Sequence, residues 1–309
     1  MKSSIERQAR RSSGAGMPAT LRQPVKWHML VPTGAVMIVL TGLVAHAAEA
    51  TIITNVFDTF TDGGRSNGTD ALDTEWYAFH RSVGGTAPTI ATRDDAPLSG
   101  NVLSFGGTSA HGFVGGGFGP TTLLQSGDYI ELSFDYRNWG EETATASGPQ
   151  VGLYNSRGTA LSQDWVDGVF PTGETADDDG YKVTKFAAVS TGDFKIMEQT
   201  NLGNNFRNSI GTQLALTDSG LTATPNGGKY AIGMRITLAD NLNDLIITGW
   251  FDDYSTGGID YTTSYTDVNG ANDFGRTFDM AYIMGSSGEN SVAGIQIDNI
   301  LVTYVPEPA

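Results

Sequence analysis

Past residue 50, apolar and polar residues alternate along the chain. In Tyr129-Ile130-Glu131-Leu132-Ser133-Phe134-Asp135-Tyr136 the alternation is clean, and it recurs from Lys229 to Leu238. A period of two puts Ile130, Leu132, Phe134 and Tyr136 on one sheet face and Glu131, Ser133, Asp135 and Arg137 on the other. The same logic turns Tyr230, Ile232, Met234, Ile236 and Leu238 inward. Further strands are predicted at Trp76–Val83, Val102–Phe105, Gln150–Tyr154, Tyr181–Val189, Leu214–Thr217, Leu245–Phe251, Arg276–Ile283 and Ile295–Tyr304. Gly84-Gly85, Gly106-Gly107, Asn226-Gly227-Gly228, Gly257-Gly258 and Asn269-Gly270 separate them as turns. Only Phe194–Asn205 reads as a short helix.

Ten or more strands with short connections and no alternating helical pattern predict an all-β fold, an antiparallel two-sheet β-sandwich. No linker or internal repeat divides residues 51–305, so one domain is expected there. Composition agrees. Glycine is 40 of 309 residues and charged residues are 17%, against about 7% and about 25% in average soluble domains. That profile suits strands and turns better than helices, since glycine weakens helix interiors. Hydrophobic residues at 39% supply enough material for a core.

Both ends of the chain carry signals of their own. From Trp27 to Ala48 there is no charged residue; Arg22 and Lys26 precede this stretch and Ala45-His46-Ala47 follows. Basic residues, a short apolar segment and small residues before a cut are the pattern of a secretory signal peptide, here residues 1–50, with Met17 an alternative start. Cleavage after Ala47 or Ala50 fits the pattern. Pro32, Gly34 and Gly42 argue against the competing reading, a retained membrane span. At the other end, Val305-Pro306-Glu307-Pro308-Ala309 (residues 305–309) directly follows a strand-like run. It resembles the PEP-CTERM sorting motif of Gram-negative bacteria. The resemblance implies export to the extracellular space or outer cell surface and processing by an exosortase, although the apolar helix and arginine cluster of that family do not follow Ala309.

Residues 1–50 carry six Lys/Arg and two Asp/Glu, a net of +4. The whole-chain charge of −16 therefore leaves about −20 on residues 51–309. So acidic a body repels phosphate backbones, and no nucleic-acid partner is expected. It suits cations and neutral sugars. Cysteine is absent, which removes disulfides, thiolate metal sites and cysteine nucleophiles.

Three stretches resemble bacterial secreted domains of the concanavalin A-like lectin/glucanase (jelly-roll) group. They are Phe57–Asn67 as the opening segment, the Tyr230–Leu238 and Leu245–Asp253 hairpin as paired central strands, and Ile297–Val302 as a last strand lying beside the first. Glucanases of that group carry a Glu-x-Asp-x-x-Glu pattern, and none occurs here. Glu131 and Asp135 stand four residues apart on one strand, about 13 Å, too far for a catalytic carboxylate pair. The lyase signature Gln-x-His is missing at His80 and His111, the only histidines past residue 50. No Gly-x-Ser-x-Gly elbow or phosphate loop occurs either. The resemblance also implies a structural Ca2+ where first and last strands meet. Asp298 matches the last-strand position and Asp58 is its inferred partner.

Sugar recognition needs an aromatic platform beside hydrogen-bonding groups. Trp139 and Trp165 stand in polar contexts that read as loops. In Leu245–Phe251 the alternation sets Trp250 opposite the inward Leu245, Ile247 and Phe251, and Asp252 follows on the side of Trp250. Trp139, Trp165, Trp250 and Asp252 are thus the candidate ligand residues. The expected function is a non-catalytic exported surface or matrix protein that binds glycan or exopolysaccharide. Its rivals are a divergent glycoside hydrolase or polysaccharide lyase, and a purely structural calcium-binding matrix protein.

Overall fold

The alternation resolves into two antiparallel sheets packed face to face. The computed structural model describes residues 50–66, 72–80, 89–93, 98, 100–105, 112–139, 147–165, 173–175, 177–186, 193–200, 212–218, 227–255, 257–285 and 294–308. Residues 1–49 of the expected leader, His111, and the side chains of His80 and Trp139 lie outside the described residues.

The strands in chain order are β1 (Ile53–Asp58), β2 (Trp76–His80), β3 (Thr89–Arg93), β4 (Gly100–Phe105), β5 (Gly112–Thr122), β6 (Tyr129–Trp139), β7 (Ser147–Asn155), β8 (Asp179–Phe186), β9 (Asp193–Thr200), β10 (Thr212–Asp218), β11 (Lys229–Leu238), β12 (Leu245–Asp252), β13 (Tyr261–Asp267), β14 (Thr277–Gly285) and β15 (Gly294–Val305). A four-residue helix, α1 (Gly270–Asp273), interrupts them. The first sheet runs β13-β12-β11-β6-β15-β4-β3, and the second runs β10-β9-β8-β7-β14-β5-β2. β1 pairs with β15 from Ile53↔Tyr304 to Asp58↔Ile300, beyond the stretch of β15 that pairs with β4, so the first strand does lie beside the last.

The core lies between the sheets. Ile130, Leu132, Phe134 and Tyr136 of β6 and Ile232, Met234, Ile236 and Leu238 of β11 are buried there, facing Val151, Leu153, Val183 and Ile196 of the second sheet. Gly249 of β12 marks how closely the layers meet: a Cβ there would stand 2.5 Å from the Phe194 ring.

One expectation gives way to the structure. The described part of the segment read as a helix, residues 194–200, belongs to strand β9, because its inward residues Phe194 and Ile196 fill the core while the backbone pairs with both β8 and β10. The run Gly115-Gly116-Gly117 lies inside β5. Glycine is needed there because the space of a Cβ is taken, at Gly115 by Leu161 and Tyr282 and at Gly116 by Thr74 and Trp76.

Two carboxylates hold the margins. Asp164 accepts both guanidinium nitrogens of Arg65 at 3.0 and 2.7 Å and the Ala78 N–H at 2.8 Å. Arg65 also donates to the Trp76 carbonyl at 2.6 Å, and the Trp165 N–H donates to the Ala78 carbonyl at 2.9 Å. The outer edge of β2 is thereby closed to another strand, which guards against edge-to-edge pairing. Asp128 is fully buried and accepts the N–H groups of Leu124, Gln125 and Glu307 at 2.7, 2.9 and 2.8 Å and the Tyr304 hydroxyl at 3.1 Å. Burial pushes its carboxyl up, but these donors outweigh it and hold the pKa below the usual range. Replacing Asp128 with Ala strands the donors and is expected to cost about 2–3 kcal/mol, read from chemical unfolding. A cost under about 0.5 kcal/mol would show that water replaces the carboxylate freely.

Candidate functional site

The outer face of the first sheet carries an aromatic hollow. In β12, Leu245, Ile247 and Phe251 point into the core, so Trp250 stands on the opposite side, as its position in the alternation predicts. Its cross-strand partner on β11 is Gly233. A Cβ on Gly233 would come within 2.3 Å of the indole carbon Cε2 and 2.6 Å of Nε1, so the indole lies across this glycine. A large ring covering a cross-strand glycine keeps one face on the backbone and turns the other away from the sheet. Around it lies a hollow of about 200 Å3 lined by Trp250, Phe57, Tyr254, Ser133, Asp135, Asn299 and Leu301, among others. Phe57 and Tyr254 remain 44% and 46% exposed, which makes them available as walls.

Asp135 organises the floor. Its carboxylate accepts the Tyr254 hydroxyl, the Asn299 amide at 2.8 Å and the Lys229 ammonium at 2.8 Å. Asn299 reaches it because β15 carries an irregularity between Asp298 and Leu301, with Asn299 at φ 54°. Such a bulge re-aims a side chain that regular pairing would direct elsewhere. The Lys229 ammonium also lies 4.8 Å from the centre of the Tyr254 ring.

Three carboxylates meet on the connection from β12 to β13. One oxygen from each of Asp252, Asp253 and Asp260 lies within 4.8 Å of the others. The Tyr254 N–H donates to Asp252 at 2.6 Å and the Asp253 N–H donates to Asp260 at 2.7 Å, so the loop that gathers the acids also holds the Tyr254 wall. Burial first, then the charges of Asp260 and Asp253, push the Asp252 carboxyl above its usual range. The alternation sets Trp250 and Asp252 on this outer side of β12. Asp135 and Asn299 reach the hollow through the pairing of β6, β11 and β15, and Tyr254 from the loop after β12, which local sequence does not show.

The remaining sequence candidates are placed elsewhere. Trp165 is not a free loop residue: it bridges to Phe79 on the edge of β2, packs against Phe79, Tyr282 and their neighbours on the outer face of the second sheet, and donates its indole N–H to Glu174 at 3.4 Å. Beside it, Arg65, Glu75, Trp76 and Asp164 line an open polar hollow of about 470 Å3. Trp139 is the last residue of β6 and pairs with Gly294, so it too belongs to a strand. Asp58 is buried and accepts the Phe60 N–H at 2.8 Å on one oxygen and the Trp76 indole N–H at 2.7 Å on the other. Asp298 pairs with Asp135 across β15 and β6 and accepts the Asn299 N–H at 2.8 Å. Burial raises both carboxyls to about 6. Calcium takes six to eight oxygens, mostly from charged carboxylates and carbonyls. Among the described residues, neither Asp58 nor Asp298 belongs to a group of three His, Asp or Glu side chains close enough to share an ion.

No protein-family model and no curated protein sequence matches this chain. Among solved structures, the chain is similar to winged bean acidic lectin complexed with methyl-alpha-D-galactose, at 12% identity, 84% of this chain, all of that one and a TM-score of 0.43. It is likewise similar to the metal-free exoplasmic/lumenal domain of VIP36, at 10% identity, 82% and 96% coverage and a TM-score of 0.45. A carbohydrate esterase from the Shiga toxin-encoding bacteriophage phi24B aligns at 15% identity, 82% and 99% coverage and a TM-score of 0.44. These likenesses are distant, and the all-β architecture of two antiparallel sheets stands on the chain's own strand pairing.

Proposed function

We propose that this is an exported, non-catalytic protein of the cell surface or extracellular matrix that binds glycan in the hollow around Trp250. The observation that carries the reading is the indole laid over Gly233 beside the hydroxyl, amide and carboxylate groups of Ser133, Asn299 and Asp135. A flat apolar ring next to fixed polar groups matches the alternating apolar and hydroxylated faces of a pyranose. The two carboxylates weighed as a catalytic pair are engaged within the protein. Glu131 is paired with Arg235 at 2.6 Å, and Asp135 is taken by Lys229, Asn299 and Tyr254. Export rests on the leader at residues 1–50. Exopolysaccharide association, and processing by an exosortase, rest on the Val305–Ala309 motif.

Titration against a panel of oligosaccharides tests the reading, with Trp250→Ala as control. Removing the platform is expected to weaken binding about 30-fold, the usual cost of a central aromatic anchor. Absence of any glycan binding by the wild type would remove the reading, and equal binding by Trp250→Ala would move the site elsewhere. Product release from the same oligosaccharides would overturn the non-catalytic half. The structural calcium expected at Asp58 and Asp298 is tested alongside: binding lost in chelator and restored by Ca2+ supports it, and a chelator-insensitive protein of unchanged melting temperature removes it.

A further inference from the structure

The hollow, with the strand and loop beside it, carries more negative charge than a neutral sugar can use. Asp135 lies on its floor, Asp298 is the cross-strand neighbour of Asp135, and Asp252, Asp253 and Asp260 converge on the loop that carries Tyr254. Among the described residues three cations stand on this face: Lys229, held by Asp135, Arg137, opposite Lys229 on the neighbouring strand, and Arg235, held by Glu131. The local balance is negative, as is the body of about −20 around it. Aromatic walls add to this, because a ring face carries partial negative charge and attracts ammonium groups. The chain itself shows the arrangement at work: the Lys229 ammonium sits 2.8 Å from an Asp135 oxygen and 4.8 Å from the Tyr254 ring centre. Trp250 and the loop carboxylates offer the same two ingredients to a cation from outside.

We propose that the hollow selects glycans bearing free primary amino groups, hexosamine units in ammonium form, over their N-acetylated and acidic counterparts. The proposal rests on the glycan-binding reading above and adds the class of sugar. The pyranose ring packs on Trp250, and its ammonium meets the carboxylates of the Asp252–Asp260 loop. A uronate placed there meets repulsion, and an N-acetyl group loses the charge while keeping the ring contact.

The test is calorimetric titration of the full chain with three probes at about pH 6 and low salt: a glucosamine tetramer, its N-acetylated form and a galacturonate trimer. The amine-bearing tetramer is expected to bind about tenfold more tightly than the N-acetylated one, with no measurable binding of the galacturonate. The preference is expected to shrink in roughly 0.5 M salt, where exposed charges are screened. Asp253→Asn, checked for an unchanged melting temperature, is expected to bring the ratio of the two tetramers close to one. Equal affinity for both tetramers with the wild type, or binding that requires added Ca2+, overturns the amine proposal while leaving glycan binding in place. Failure of all three probes and of neutral oligosaccharides removes the glycan reading itself.

Discussion

Gly180→Ala is expected to melt far below the wild type. Gly180 is the second residue of β8 and pairs with Tyr154 of β7. A Cβ there would stand 2.2 Å from the Leu153 carbonyl oxygen and 2.8 Å from the Tyr154 Cα, both backbone atoms that cannot swing aside as a side chain can. Relief requires the two strands to part in the middle of the second sheet. Overpacking of this kind costs about 3 kcal/mol or more, a fall of roughly 6–12 °C for a domain this size. Gly119→Ala in β5 is the control, since its added methyl meets nothing within 4 Å and its φ is ordinary. It is expected to melt within about 2 °C of the wild type. Equal melting of the Gly180 variant and the control would show that the β7–β8 pairing tolerates the displacement.

Stability should peak on the acid side of neutrality, near pH 4–5. Burial raises Asp178 to about 8, countered in part by the Tyr282 hydroxyl that donates to it at 2.7 Å. Asp58 and Asp298 are raised to about 6, again chiefly by burial. A carboxyl whose folded pKa lies above its unfolded value contributes stability below the unfolded value and loses it as pH rises through the folded one. All three therefore withdraw stability between about pH 4 and 6, and Asp178 continues to about 8. Lys182, buried and lowered to about 7, has the opposite sign but acts only above that value. Below about pH 4 the direction reverses, because Asp128 and Asp164 are held below the usual range and lose their bonds on protonation. With chelator present to keep Asp58 and Asp298 free of metal, melting temperatures are expected to fall on the order of 10 °C from about pH 5 to pH 8. A flat profile would show that water reaches these carboxyls. The Asp58→Asn and Asp178→Asn variants should each flatten the slope, since neither side chain then titrates.

The candidate site shows where reading the chain alone stops. The side on which Trp250 stands followed from Leu245, Ile247 and Phe251 pointing inward, and the structure agrees. That the indole rests on Gly233, and that Asp135 and Asn299 lie beneath it, required β12, β11, β6 and β15 to be neighbours in that order. Trp165 is the converse case. Its polar surroundings in sequence hide its bridge to Phe79, 86 positions earlier.

Alternation along the chain determined the strands of the core and the facing of their side chains, because a two-residue period is written locally and burial follows it directly. Strand β9 and the glycine run of β5 escaped for the same reason, since their extended form is imposed by partners: β8 and β10 for the first, the side chains lying across it for the second. The closure of the β2 edge, the meeting of three aspartates on one loop and the raised carboxyls of Asp58, Asp178 and Asp298 belong to the tertiary structure. Each depends on which distant segments exclude water from a given side chain, and on which donors they bring to it. Local sequence carries no record of that proximity.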